Sequence, residues 1–344
     1  MRYKLYIIIL VSIFYSGCIE QIDFPVEDNP KVVVVDGTFS DVDEIQTIKL
    51  SHSVGVNLQI FDPISGANVR VEEACGHMIQ FSETEKGIYT VYSKSEVDKN
   101  YRLNAILPDG RRIYSRYQGV RPTFPVTGVY IADTVLSYVN ESGKLRVERS
   151  INCFAHSQGE PPEEELFLRY DLETVWQMTE AICSPLETVK TCYVYDRDVA
   201  FNIDLLELSP GTDDLNFERF IFRRKLDGVF GEVFSIKVDL LSYNEKEYRY
   251  WETLKTIFEQ SGSVIDILPA RLPSLIELEG NGEVFGHFAV VGKSSYVRFI
   301  RRSDFNSFIY PYCGAAGVLP YPFPQSCCDC ASEPGASLFK PEYW

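Results

Sequence analysis

The stretch Glu232–Leu241 reads EVFSIKVDLL, and its side chains alternate in character. Phe234, Ile236, Val238 and Leu240 point one way, while Ser235, Lys237 and Asp239 point the other. A period of two with one apolar face predicts a half-buried antiparallel strand. The same pattern occurs upstream. Leu166, Leu168, Tyr170, Leu172, Thr174 and Trp176 share a face, opposite Arg169, Asp171 and Glu173. Phe217–Arg224 is also strand-like, and Leu226-Asp227-Gly228 predicts a hairpin joining it to 232–241. Nearer the N-terminus, Lys31–Asp36 (KVVVVD) is a buried-strand run closed by Gly37. The runs Gln46–Ser51, Asn68–Glu72, Ile88–Tyr92, Tyr101–Leu107 and Arg112–Tyr117 follow, the last two across the turn Pro108-Asp109-Gly110. Gly286–Phe299 returns to strand character.

These runs predict a mainly β chain with two β-sandwich-like domains, at residues 31–121 and 122–310, and a disulfide-stapled tail at 311–344. One helix is expected, over residues 243–260. Ser242 with Glu245 offers a capping box, and Ser261-Gly262 a stop. Tyr250, Trp251, Leu254, Ile257 and Phe258 form its apolar stripe, so Trp251 and Leu254 are expected to be largely buried against a sheet. Twenty-one Tyr and 22 Phe against three Met agree with a strand-rich fold.

The chain has 344 residues, with 33 Lys and Arg against 49 Asp and Glu, for a net charge of −16. Nucleic acid is not an expected partner, because phosphate binding depends on clustered cations. Residues 1–17 (MRYKLYIIILVSIFYSG) place Arg2 and Lys4 before an apolar run of about eleven residues. That run is too short for a bilayer of ~30 Å and reads as a signal peptide. The junction Tyr15-Ser16-Gly17-Cys18 resembles a bacterial lipobox, which makes Cys18 the lipidation site and the membrane a partner through that anchor. Residues 18–30 then read as a lipidated tether.

Eight cysteines remain: Cys75, Cys153, Cys183, Cys192, Cys313, Cys327, Cys328 and Cys330. An even number in an exported chain makes all eight disulfide candidates. Cys183 and Cys192 flank one short turn and are the expected pair. The spacing Cys313…Cys327-Cys328-Asp329-Cys330 does not match the CxxC pattern of a zinc site. No metal, cofactor or catalytic residue is expected. There is no G-x-S-x-G, H-E-x-x-H or G-x-x-x-x-G-K-[ST], and the four His (His52, His77, His156, His287) do not pair at ligand spacing. Gly280-Asn281-Gly282-Glu283-Val284-Phe285-Gly286 reads as a turn leading into a strand.

The order of segments resembles a family of Bacteroidetes lipoproteins catalogued as domain of unknown function 4249. The resemblance rests on Cys18, Val32–Thr38, Ile48–Ser51, Ile64–Val69, Gly87-Ile88-Tyr89, Tyr101-Arg102-Leu103, Tyr250-Trp251, Val284–Phe288, Cys327–Cys330 and the closing Lys340-Pro341-Glu342-Tyr343-Trp344. The first domain is similar to carboxypeptidase-regulatory, transthyretin-like sandwiches. What the resemblance implies is a non-catalytic outer-membrane lipoprotein, facing either the periplasm or the cell surface. It would assist a TonB-dependent transporter by substrate capture or partner binding. Two other classes compete: a stand-alone carbohydrate- or protein-binding adhesin, and a hydrolase with an unrecognised carboxylate pair. A concave cluster of perturbed carboxylates is the feature that favours the last.

Overall fold

The computed structural model describes residues 31–53, 61–183, 188–196, 203–212, 216–260, 273–314 and 324–344. The expected signal peptide, the tether and Cys18 lie outside the described residues. Among the described residues, no helix is long and apolar enough to cross a membrane.

The strand runs assemble into three sheets. The largest runs β20 (Ala336–Ser337), β14 (Thr191–Tyr195), β13 (Leu166–Thr179), β17 (Val233–Tyr243), β19 (Val284–Arg301), β1 (Val33–Ser40), β2 (Glu44–His52), β7 (Ile88–Ser93) and β6 (Ser82–Glu85). Beside this path, β15 (Asp204–Leu208) pairs with β13 and β3 (Asp62–Pro63) with β2. The second sheet orders β18 (Ile276–Glu279), β9 (Arg112–Ser115), β8 (Asn100–Ile106), β4 (Asn68–Glu73) and β5 (Met78–Gln80), with β10 (Gln118–Gly119) on β8. The third holds β11 (Val126–Val139), β12 (Leu145–Gln158) and β16 (Asn216–Lys225).

The large sheet is one layer of two sandwiches. Towards the second sheet it contributes Val33, Val35, Phe39, Ile48, Leu50, Phe288 and Val290, which meet Val69, Val71, Leu103 and Ile113 in one core. Towards the third it contributes Leu168, Tyr170, Trp176, Phe234, Ile236, Val238 and Leu240, which meet Val129, Ile151, Ala155 and Ile221 in another. The alternation read from Leu166–Trp176 and Glu232–Leu241 is therefore the inner face of a sheet. One core draws its N-terminal residues from Val33–Val120 and the other from Phe124 onward, with one exchange. Ile276, Val284, Phe288 and Val290 come from late in the chain and pack in the first core. Val284, Phe288 and Val290 arrive because β19 pairs in parallel with β1, Val33 opposite Val284 through Ser40 opposite Val291, and Ile276 arrives because β18 pairs with β9, opposite Ser115. Gly286 makes this pairing possible. Its φ is +106°, and a Cβ there would meet the Val35 carbonyl oxygen at 1.9 Å, so only glycine fits.

The expected hairpin between Phe217–Arg224 and Glu232–Leu241 does not form. β16 pairs with β12 in the third sheet, whereas β17 pairs with β13 and β19 in the large one. The intervening Gly228–Gly231 is a 3₁₀ turn, with the Asp227 carboxylate accepting the Val229 N–H at 3.2 Å. Val229 and Phe230 are buried in the core, so this segment crosses between layers instead of reversing at the surface.

The helix, α1, spans Glu245–Gln260. Its cap is Asn244, not Ser242: the Asn244 Oδ1 accepts the Glu247 N–H at 3.1 Å. Ser242 is a buried residue of β17 whose hydroxyl donates to the Arg121 carbonyl and accepts the Gly292 N–H at 3.1 Å. Glu247, Tyr248 and Tyr250 are the buried residues of α1, while Trp251 and Leu254 are only half-buried and Phe258 is exposed. The helix packs Tyr248 and Trp251 over Phe167, Leu241, Tyr243, Ala289 and Val291, on the outer face of the large sheet. Burial of the stripe thus falls mainly on its first two turns.

The cysteine pairing differs from the expected one. Cys183 bonds Cys328, Cys192 bonds Cys330 and Cys313 bonds Cys327, with Cα separations of 5.6, 5.9 and 5.2 Å. Strand pairing explains why Cys183 and Cys192 turn to the tail. β14 joins β13 with Cys192 opposite Met178, and β20 adds to the free edge of β14. The tail backbone then lies against the Cys183 side, with the Ala181 N–H donating to the Cys327 carbonyl at 2.8 Å and the Cys330 N–H to Glu180 at 2.9 Å. Cys75 and Cys153 form no disulfide. Cys75 is exposed, its thiol donating to Glu73 at 3.2 Å, while Cys153 is sealed in the core and burial pushes its thiol up to about 12. Trp344 closes the tail between Tyr193 and Phe299, with ring centroids 5.1 and 5.2 Å away.

Candidate functional site

A pit of about 270 Å³ opens on the outer face of the large sheet. Its origin is the end of β17. β17 stops at Tyr243 and the chain lifts into α1, while β19 and β1 continue beneath. The register then sets Lys49, Asp36 and His287 side by side across β2, β1 and β19. All three belong to the face opposite the core, because their neighbours Val35, Ile48 and Phe288 point inward. From β13 come Arg169 and Asp171, and α1 supplies Trp251 as a wall. Thr38, Thr47 and Tyr243 complete the polar lining.

His287 is only 4% exposed and sits between two carboxylates. Its Nδ1 faces Glu247 Oε2 at 3.6 Å, and its Nε2 faces Asp36 Oδ1 at 3.5 Å. Tyr250 and Trp251 hold the imidazole between them, with ring centroids 5.2 and 5.0 Å away. Glu247 Oε2 and His287 Nδ1 have no hydrogen-bond partner, so these two buried polar atoms face only each other.

The two carboxylates move in opposite directions. Burial pushes Glu247 up to about 7, against the charge of His287 and a hydrogen bond from Gln118. That bond is 3.0 Å, from the Gln118 side-chain amide to Oε1. Burial also works against the charged form of Asp36. There the His287 ring, with Lys49 and Arg169, outweighs it and brings the carboxyl down to about 2. Asp36 is thus an ionised carboxylate at the pit, with a side chain 59% exposed, and Glu247 lies behind the imidazole at 2%.

Arg169 is the other fixed charge. Its guanidinium stacks 3.5 Å from the Trp251 ring, donates to Asp171 at 3.1 Å and to the Tyr243 hydroxyl at 3.4 Å. Burial pushes the Tyr243 hydroxyl up, so it stays protonated and can accept. Next to the pit, Lys293 bridges Glu44 at 2.8 Å and Asp239 at 3.2 Å.

None of the cysteines expected to matter lines this pit, and Cys18 lies outside the described residues. Sequence reasoning missed Asp36, Lys49, Arg169, Glu247 and His287 as a group. The available signal was the polar face of the strands, where Arg169 and Asp171 sit opposite the apolar residues of 166–176. Among the described residues, no group of His, Cys, Asp and Glu could hold a metal ion. His287 presents opposite nitrogens to its two carboxylates, at 3.5 and 3.6 Å.

Comparison with curated proteins and with solved structures finds no match to this chain. A family model does match, over residues 19–296, which takes in α1, the pit and most of β19. The chain therefore belongs to the family described as Domain of unknown function (DUF4249).

Proposed function

We propose that this protein is a non-catalytic capture protein, anchored to the outer membrane through a lipid on Cys18 and serving a TonB-dependent transporter. One observation carries the capture role: the pit under α1, where the exposed Asp36 and Lys49 and the half-buried Asp171 stand on paired strands beside the largely buried Arg169 guanidinium. A site on paired strands is positioned more firmly than one on loops, which suits binding. Three disulfides fit a chain that works outside the reducing cytosol. The lipobox-like junction supports the anchor, and the family resemblance supports the transporter. Purification of the intact chain from native membranes, with partners identified by mass spectrometry, tests this reading. A TonB-dependent transporter in the purified complex supports it; the protein eluting alone from gently solubilised membranes overturns the transporter role.

A second reading, a hydrolase using a carboxylate pair, draws on the opposed shifts of Asp36 and Glu247 about His287. Geometry weighs against it. Glu247 is not among the residues lining the pit and faces the imidazole, so only Asp36 and His287 could touch a substrate.

A further inference from the structure

We infer that the pit under α1 binds a small zwitterion, a ligand carrying one carboxylate and one ammonium group. This deepens the capture reading and rests on it. The lining supplies two cations, Lys49 and Arg169, and two carboxylates, Asp36 and Asp171. Asp171 is 49% exposed and, with Asp36, bars a simple anion from the pit by repulsion. Lys49 and Arg169 bar a simple cation in the same way. A ligand with both charges meets an opposite partner for each.

The two ends of such a ligand have distinct seats. Arg169 is 12% exposed and held flat by Trp251, Tyr243 and Asp171, so its guanidinium is already oriented. A planar guanidinium has five N–H donors, and Tyr243 and Asp171 occupy only two of those on Arg169. That suits the carboxylate end, with Lys49 as the second cation. Asp36 suits the ammonium end, because His287 behind it keeps the carboxylate ionised. Thr38 and Thr47 also line the pit and offer hydroxyls to a ligand's own polar groups. A volume of about 270 Å³ is below the ~300–1,000 Å³ of drug-sized sites, so the ligand has the size of an amino acid or the end of a short peptide.

The test is ligand-observed NMR on the full mature chain. It uses three probe sets: the twenty protein amino acids, a mixed dipeptide library, and a control set of neutral monosaccharides with simple mono- and dicarboxylates. Binding from either of the first two sets is expected, and which of them binds tells a free amino acid from a peptide end. The N-acetylated and the carboxamide forms of the bound compound should each bind at least tenfold more weakly. Asp36→Asn and Arg169→Gln should each weaken binding at least tenfold. Lys49→Gln, at an exposed position, provides a variant whose folding is not in question and should weaken it severalfold. Binding only from the control set, no binding from any set, or affinity unchanged in all three variants overturns the inference. The transporter association is read separately in native membranes, so it can survive that failure.

Discussion

Replacing Glu247 with Gln should make the protein more stable above neutral pH and leave it unchanged in acid. Glu247 is buried and is held up from 4.5 to about 7. At ~1.4 kcal/mol per tenfold change in proton affinity, that displacement is worth about 3 kcal/mol. The folded chain binds the proton more tightly than the unfolded chain does. Below 4.5 both states carry it and there is no penalty. Between 4.5 and about 7 the unfolded chain ionises first, so stability falls as pH rises. Above that, both states are ionised and the whole cost of the buried charge is present. The amide introduced by Glu247→Gln would keep the bond from Gln118, which is made to Oε1, and would offer an N–H towards His287 Nδ1. The assay is urea unfolding followed by circular dichroism at pH 4, 6 and 8, variant against parent. The expected gain is near zero at pH 4 and approaches ~3 kcal/mol at pH 8. A variant that is less stable than the parent at pH 8 would refute the reasoning, because burying the Glu247 charge would then carry no net cost.

Gly286→Ala should cost at least ~3 kcal/mol by thermal melting, since a positive φ and a clash with the Val35 carbonyl both oppose it; a fully stable variant would show that β1 and β19 do not meet as described. Peptide mapping without reduction should find Cys183–Cys328, Cys192–Cys330 and Cys313–Cys327, with Cys75 alkylated in the native protein and Cys153 only after unfolding; a Cys183–Cys192 peptide counts against the stapled tail. Trp251→Ala should lower stability by only ~1–3 kcal/mol, because the ring is half-buried; failure to fold at all would mean that α1 is seated more deeply. Cys18→Ser should move the protein from the membrane to the soluble fraction, and a variant that stays in the pellet of a strain lacking the transporter contradicts the anchor.

The strands were legible because period two survives wherever one face is buried. Val33, Val35 and Phe39, or Phe234, Ile236, Val238 and Leu240, each mark a face that really is core. Partners of strands were not legible. The link between β16 and β17 has turn residues, yet Val229 and Phe230 belong to the core, and only the three-dimensional arrangement shows that they thread between layers. The parallel pairing of β1 with β19 joins residues as distant in sequence as Val33 and Val284, beyond the reach of any local signal. The same distance hid the site. Lys49, Asp36 and His287 become neighbours only through that register, and Arg169 and Glu247 come from elements that periodicity treats as independent. Cysteine count foretold bridges, but the partner of Cys183 was decided by the edge of β14, where the tail docks.

Native mass spectrometry of the protein released gently from its own membranes tests the central claim most directly. The account predicts a mass excess from one small bound molecule per chain, lost in both Asp36→Asn and Arg169→Gln. A bare protein mass, or an excess that persists unchanged in both variants, would contradict the assignment of the pit under α1 as the site of capture.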